Sequence, residues 1–264
     1  MTFSVAFDTL DIPAPGGSAD AYLTHPDDGS AHPGLLFFMD AFGLRPWIRE
    51  MMETISAQGF TVLAPNIFYR TGRAPVRPMP DFDEPNADAK FFAALAPVRQ
   101  SLTPDRSLHD AGAYLDWLDA SDYVTPGALG VVGYCMGGRL ALRTAGEYGP
   151  RIAAAASFHG GRLAVEEAPD SPHHAADRMT AELYIAHASA DPSMPADQIA
   201  LLDKALDAAG VRHTSVTYPD AGHGFTMRDT PAYDAEAYQR HLRDLVDLLH
   251  RAIPGDRAPA GGAR

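Results

Sequence analysis

Cys135 is the chain's single cysteine. It stands in Gly133-Tyr134-Cys135-Met136-Gly137-Gly138, where the apolar run ALGVVGY (128–134) gives way to a helical pattern at 137–147. This matches G-x-S-x-G, the strand–turn–helix that presents a nucleophile, with cysteine in place of serine. A nucleophile in a strained turn needs residues without bulk two before and two after it, so that strand and helix can approach. The sulfur then faces the positive end of a helix dipole, which suits a nucleophile that works as an anion. The competing reading is a buried structural cysteine in a glycine-rich turn, since buried cysteines are common. Against it stands the fact that the one cysteine falls on the nucleophile position.

A thiol nucleophile needs a base, and the base needs an orienting group. Asp191 follows the apolar stretch 182–187 in Ala188-Ser189-Ala190-Asp191-Pro192. His223 follows 214–218 in Pro219-Asp220-Ala221-Gly222-His223-Gly224-Phe225. Nucleophile, acid and histidine in that chain order, each just past a strand, is the order that accompanies such a turn. Each residue also has a plainer reading: an Asp before Pro is turn chemistry, and a His between glycines is solvated. Asp220 competes for the acid's role but would have to fold back on a histidine three residues away.

The elements that must position these residues alternate strand-like and helix-like patterns, the signature of an α/β sheet. Strands are expected at 33–40, 60–65, 128–134, 152–158, 182–187 and 214–218. Helices are expected at 46–60, 103–120, 137–147, 195–209 and 232–252. Thr103 reads as an N-cap with Pro104 behind it, and Ile48, Met51, Met52 and Ile55 form one helical face. Residues 66–102 hold five prolines and little periodicity outside 86–95. They read as an excursion over a sheet edge, of the length that often serves as a lid. The segment 254–264 has no apolar content and reads as a frayed tail.

With 264 residues, 46% hydrophobic and 21% charged, the chain can build one sizeable α/β core, and the expectation is a single domain over 1–253. A net charge of −13 argues against nonspecific binding to nucleic acid or an anionic membrane. One cysteine excludes an internal disulfide and any multi-cysteine metal site. There is no signal-peptide pattern and no apolar run of membrane-spanning length, so a cytoplasmic protein is expected. H-E-x-x-H, a P-loop and G-x-G-x-x-G after a strand are all missing. His173-His174, without a third ligand at metal spacing, reads as surface. His159, in His159-Gly160-Gly161 after a strand, reads as a pocket residue or, more simply, a turn.

GYCMGG, the downstream Asp191 and the AGHGF loop resemble the dienelactone hydrolase family within the α/β-hydrolase fold. MDAFGL (39–44), Arg49-Glu50 and APNIFYR (64–70) extend the similarity, which runs from about residue 18 to 250. The resemblance implies a mostly parallel, doubly wound sheet with helices on both faces. It also implies Cys135 as nucleophile, His223 as base, Asp191 as its orienting acid, and an oxyanion hole from the backbone N–H groups of Met136 and Ala41. In the best-known members a glutamate holds the resting cysteine. The matching residue here is Asp40, one methylene shorter, which can instead reach a backbone group or an arginine.

Members that open dienelactones grip a substrate carboxylate with arginines. Arg228, one residue later than the family spacing, and Arg70 are the candidates here, with Arg73 and Arg77 as further cations. Phe42 and Tyr69, with Trp47 and Phe68, cluster in sequence at the expected pocket mouth. The expected activity is hydrolysis of a small carboxylate-bearing enol-lactone or ester through a cysteine acyl-enzyme, with no metal or organic cofactor. Two alternatives stay open: a carboxylesterase or thioesterase for neutral acyl groups, and a noncatalytic ligand-binding scaffold. Monomer and homodimer are both compatible with the sequence.

Overall fold

The computed structural model describes residues 2–253; the expected tail, 254–264, lies outside the described residues. One sheet is built from β1 (Val5–Ala14), β2 (Gly17–Pro26), β3 (Gly34–Phe38), β4 (Thr61–Pro65), β5 (Leu129–Tyr134), β6 (Ile152–Phe158), β7 (Glu182–Ala190) and β8 (His213–Gly222), in the order β1-β2-β4-β3-β5-β6-β7-β8. From β4 to β8 every pairing is parallel, while β2 runs antiparallel to β4 and β1 antiparallel to β2. β3 and β5 are buried at every residue. This is why both read as unbroken apolar runs: parallel strands covered on two faces have no polar side to show.

The helices are α1 (Pro46–Ser56), α2 (Ala87–Ser101), α3 (Pro104–Asp119), α4 (Met136–Tyr148), α5 (Ala196–Ala208) and α6 (Ala235–Ala252). On β5, Gly130 faces Leu249 and Ile253 at the end of α6, whereas Gly133 faces Gly137 in α4. Three residues apart on a strand means opposite faces, so α4 and α6 cover the two sides of the sheet. α1 meets α6 through the Trp47 and Tyr238 rings, 5.3 Å apart. α3 lies beside α4, with Tyr148 Oη donating to the Leu108 carbonyl at 2.7 Å. Thr103 caps α3 by accepting from the Arg106 N–H, with Pro104 in the first turn, as the sequence predicts. No helix among the described residues is long and apolar enough to cross a membrane.

Two features differ from the sequence reading. The hairpin β1–β2 was not expected: β1 is an edge strand, largely half-buried or exposed, so it lacks a clean alternation of apolar and polar residues. Within the excursion 66–102, α2 extends past 95 to Ser101 and carries Pro97 in its interior. Pro97 and Ala93 both face solvent, so water can take the carbonyl that the missing N–H leaves free. Phe91, Leu95 and Val98 bury the opposite face.

The topology has one consequence for chemistry. Five of the six parallel strands, β3, β5, β6, β7 and β8, end at Phe38, Tyr134, Phe158, Ala190 and Gly222. Asp40, Cys135, His159, Asp191 and His223 follow within one or two residues, all at the carboxyl edge of the sheet, where α/β sheets hold their ligands.

Candidate active site

Cys135 stands between β5 and α4 with φ 55° and ψ −120°, a backbone conformation that L-residues rarely adopt. The turn closes because nothing projects into it. A Cβ at Gly133 would collide with the Gly137 carbonyl, and one at Gly137 with the carbonyl oxygens of Phe38 and Met39. The sulfur lies 3.0 Å from His223 Nε2. On the other side of the ring, His223 Nδ1–H donates to Asp191 Oδ2 at 2.6 Å. Asp191 is almost wholly buried, and its second oxygen accepts from the Ser193 N–H at 2.8 Å and the Ser193 hydroxyl at 2.6 Å. Turn chemistry and an orienting carboxylate therefore coexist in one side chain: Oδ1 makes the turn and Oδ2 holds the histidine. Asp220 is exposed and is not the histidine's partner.

Burial alone would pull the His223 pKa down. The hydrogen bonds to Asp191 and Cys135 and the charges of both outweigh it and raise the pKa from 6.5 to about 10. Asp191 moves the opposite way: burial would raise its pKa, but the bonds from His223 and Ser193 carry it below the ordinary value. The pair thus favours an imidazolium facing the sulfur and a carboxylate behind it.

His159, fully buried after β6, bridges the Cys135 turn to the loop that follows β8. Its Nδ1 accepts the Cys135 backbone N–H at 3.2 Å, so Nε2 carries the proton and donates to Thr226 Oγ1 at 2.8 Å. Desolvation, then the neighbouring histidines, push its pKa well below 6.5, keeping the ring neutral. Ala41 lines the same cavity as Cys135, and Met136 follows Cys135 as the first residue of α4. Neither backbone N–H donates to a protein acceptor among the described residues. A cavity of about 430 Å3 opens over Cys135 and His223, walled by Phe42, Phe82, Phe92 and Met227, with Asp40 and Asp88 as its carboxylates. No arginine or lysine lines it among the described residues, and no group of three or more His, Cys, Asp or Glu there could hold a metal ion.

Comparison with known proteins places this geometry in a family. The model of the dienelactone hydrolase family matches residues 19–253. The chain belongs to the dienelactone hydrolase family. It is 28% identical over 241 residues to a Yersinia pestis protein provisionally named a carboxymethylenebutenolidase, covering 89% of this chain and 85% of that one. The carboxymethylenebutenolidase of Pseudomonas sp. strain P51 is 26% identical over 240 residues, covering 90% and 92%. A Klebsiella pneumoniae structure provisionally named a dienelactone hydrolase superposes with a TM-score of 0.81 at 21% identity, covering 94% of this chain and 99% of that one. The fold is therefore the α/β-hydrolase fold, and the protein is a hydrolase of the dienelactone hydrolase family.

Measured against that family's pattern, several expected residues sit elsewhere. Asp40 lines the cavity, but its carboxylate is bound to the protein. Arg45 grips it through two parallel bonds of 2.6 and 2.9 Å, and the Phe42 N–H adds a third at 3.0 Å. The same guanidinium binds Asp229 at 2.6 Å. A shorter side chain with an arginine five residues on explains why Asp40 is turned to Arg45. Arg45 was missed although it lies in the same loop.

Arg228 pairs with Glu50 at 2.6 Å and stacks over Trp47, outside the cavity. Arg70 and Tyr69 both bond Asp110 of α3, and Tyr69 Oη also accepts the Gly16 N–H at 2.9 Å, so the two secure the β1–β2 turn. Arg73 pairs with Asp11 on the surface, and Arg77 lines a separate surface hollow. Of the four expected aromatics, Phe42 walls the cavity while Trp47, Phe68 and Tyr69 are buried in the core. His173, read as surface, is buried against Ser171 and the His174 ring.

The buried Arg45 carries a stability prediction. Removing one member of a buried charge network leaves its partners uncompensated, at a cost of about 3–5 kcal/mol. Arg45→Met is expected to lower the urea-unfolding free energy by that amount. Asp40→Asn should cost less, because Asp229 still neutralises the guanidinium. Equal losses in the two variants would contradict this account.

Proposed function

We propose that this protein hydrolyses small esters or lactones with an uncharged acyl part, through a thioester on Cys135. His223 takes the thiol proton, and the thiolate attacks the carbonyl carbon. The oxygen, now negative, accepts from the Met136 and Ala41 N–H groups. When the tetrahedral species collapses, the carbon–oxygen bond to the leaving group breaks and His223 returns its proton to the departing oxygen. Water, deprotonated by the same histidine, then attacks the thioester, and the acid and the free thiol are released. Asp191 holds the histidine in the tautomer that all these steps require. The segment 66–102, which contributes Phe82, Asp88 and Phe92 to the cavity, is in this reading its cover.

The observation that carries the substrate class is the cavity's lining: three phenylalanines, two carboxylates and no arginine or lysine among the described residues. Apolar surface favours an apolar acyl group, and fixed negative charge works against a substrate carboxylate close to the reacting carbonyl. A second reading, a carboxylate-bearing enol-lactone, is favoured by the names of the relatives. One pair of substrates separates the two: p-nitrophenyl butyrate and the p-nitrophenyl half-ester of succinic acid, alike in leaving group and chain length. The neutral ester is expected to have the higher kcat/KM by about tenfold or more. A preference for the half-ester, together with turnover of a carboxylate-bearing dienelactone, would overturn the neutral-acyl reading in favour of the second.

A further inference from the structure

A second cavity, about 440 Å3, lies between α2, α3 and the first turns of α4. It is lined by Arg99, Gln100, Met136, Arg139, Arg143 and Asp170, among others. In a chain of net charge −13 it gathers three arginines around one carboxylate. Arg143 is 91% buried, yet its guanidinium reaches only neutral groups, the Ser107 hydroxyl at 3.1 Å and the Pro104 carbonyl at 3.1 Å. No carboxylate among the described residues lies within ion-pair distance of it. Burial consequently pulls its pKa below the ordinary arginine value, and Asp170, Asp105 and Glu147 only partly offset this from a distance. Asp105 and Glu147 line the hollow on the far side of Arg143. Arg139 bonds Asp170 at 2.8 Å through one nitrogen, while its Nε is buried with no partner. Arg99 has no ion-pair partner among the described residues.

A buried cation without a counter-ion is costly, and an arginine fork suits the oxygens of a phosphate or carboxylate. We propose that this cavity is an anion-binding subsite for a phosphate or carboxylate group. It adjoins the groove that holds Cys135. α2 gives Asp88 and Phe92 to the first cavity and Ala96, Arg99 and Gln100 to the second. Cys135 opens the helix that carries Arg139 and Arg143, about 6 and 12 Å further along its axis. A substrate with a neutral group at the reacting carbonyl and an anionic end one to two helical turns away would span both. The alternative source of the anion is a free one bound beside the active site.

Inorganic phosphate is the probe, and thermal unfolding reads its binding without any turnover, so the result does not depend on the ester-hydrolase reading. Phosphate should raise the unfolding midpoint beyond sodium chloride of equal ionic strength, with saturation. Arg143→Gln, and independently Arg99→Glu on the more exposed rim, should each weaken that binding by about tenfold or more. Arg99→Glu keeps the test open if the buried substitution prevents folding. Kinetics then separate the sources. Phosphate that competes with the p-nitrophenyl half-ester of sebacic acid but leaves p-nitrophenyl butyrate unaffected assigns the subsite to the substrate's tail. An equal effect on both esters assigns it to a free anion. A phosphate shift no larger than that of chloride, or one unchanged in Arg99→Glu and Arg143→Gln, would overturn the proposal.

Discussion

Cys135→Ala is expected to lower kcat for p-nitrophenyl butyrate by about 10^4-fold or more while leaving the far-ultraviolet circular dichroism unchanged. The loss should be this large because the chain offers no substitute. Cys135 is the only cysteine, and it alone stands at the elbow 3.0 Å from His223 Nε2. Alanine keeps the Cβ and accepts the same backbone, so the effect is on chemistry rather than folding. Residual rate would come from the proposed oxyanion donors, the Met136 and Ala41 N–H groups, and from substrate binding. A variant retaining a tenth of the activity would mean that Cys135 is not the nucleophile and that another group or water attacks the ester directly.

Asp191→Asn should cost about 10^3- to 10^4-fold in kcat, for a different reason. The carboxylate accepts on both oxygens, from Ser193 and from His223. An asparagine that keeps its carbonyl toward Ser193 turns its NH2 toward His223 Nδ1. That nitrogen must then accept, so the ring proton moves to Nε2, the atom that should receive the thiol's proton. Asp220→Asn is the control. Asp220 is exposed at φ 59°, a conformation asparagine tolerates, and activity should stay within about twofold.

Stability gives an independent readout of the same contact. The folded pKa of His223 is raised from 6.5 to about 10. The stabilisation from its charged form is therefore complete below pH 6.5 and is lost as pH rises through about 10. The difference in unfolding midpoint between wild type and Asp191→Asn should narrow across that window. It should not vanish, because a neutral ring still donates from Nδ1. A difference independent of pH would show that the imidazolium is not what Asp191 stabilises.

The glycine-rich turn around Cys135 and the interior strands were legible because both are local. A parallel strand covered on two faces must be apolar throughout, and a nucleophile turn must have glycine where the helix crosses the strand. Residues such as Gly133 and Gly137 announce themselves for that reason. The edge strand β1, solvated along much of its length, gives no such signal. Partner choice among charged side chains was also hidden. Arg70, Arg228 and Asp40 were candidates by residue type and place in the sequence, but each is paired by a residue whose proximity is set in three dimensions or by loop shape: Asp110, Glu50 and Arg45. His159 was visible only as a histidine before two glycines. Its bonds to the Cys135 amide and to Thr226 depend on β6 lying beside β5 and on the fold of the loop after β8.

The thioester on Cys135 is most directly tested by rapid-quench mass spectrometry with p-nitrophenyl trimethylacetate, whose bulky acyl group slows attack by water. The account predicts one trimethylacetyl group per chain, on the peptide containing Cys135, forming as p-nitrophenol is released and decaying at the rate of turnover. Steady p-nitrophenol release with no adduct at any time, or an adduct on another residue, would contradict it.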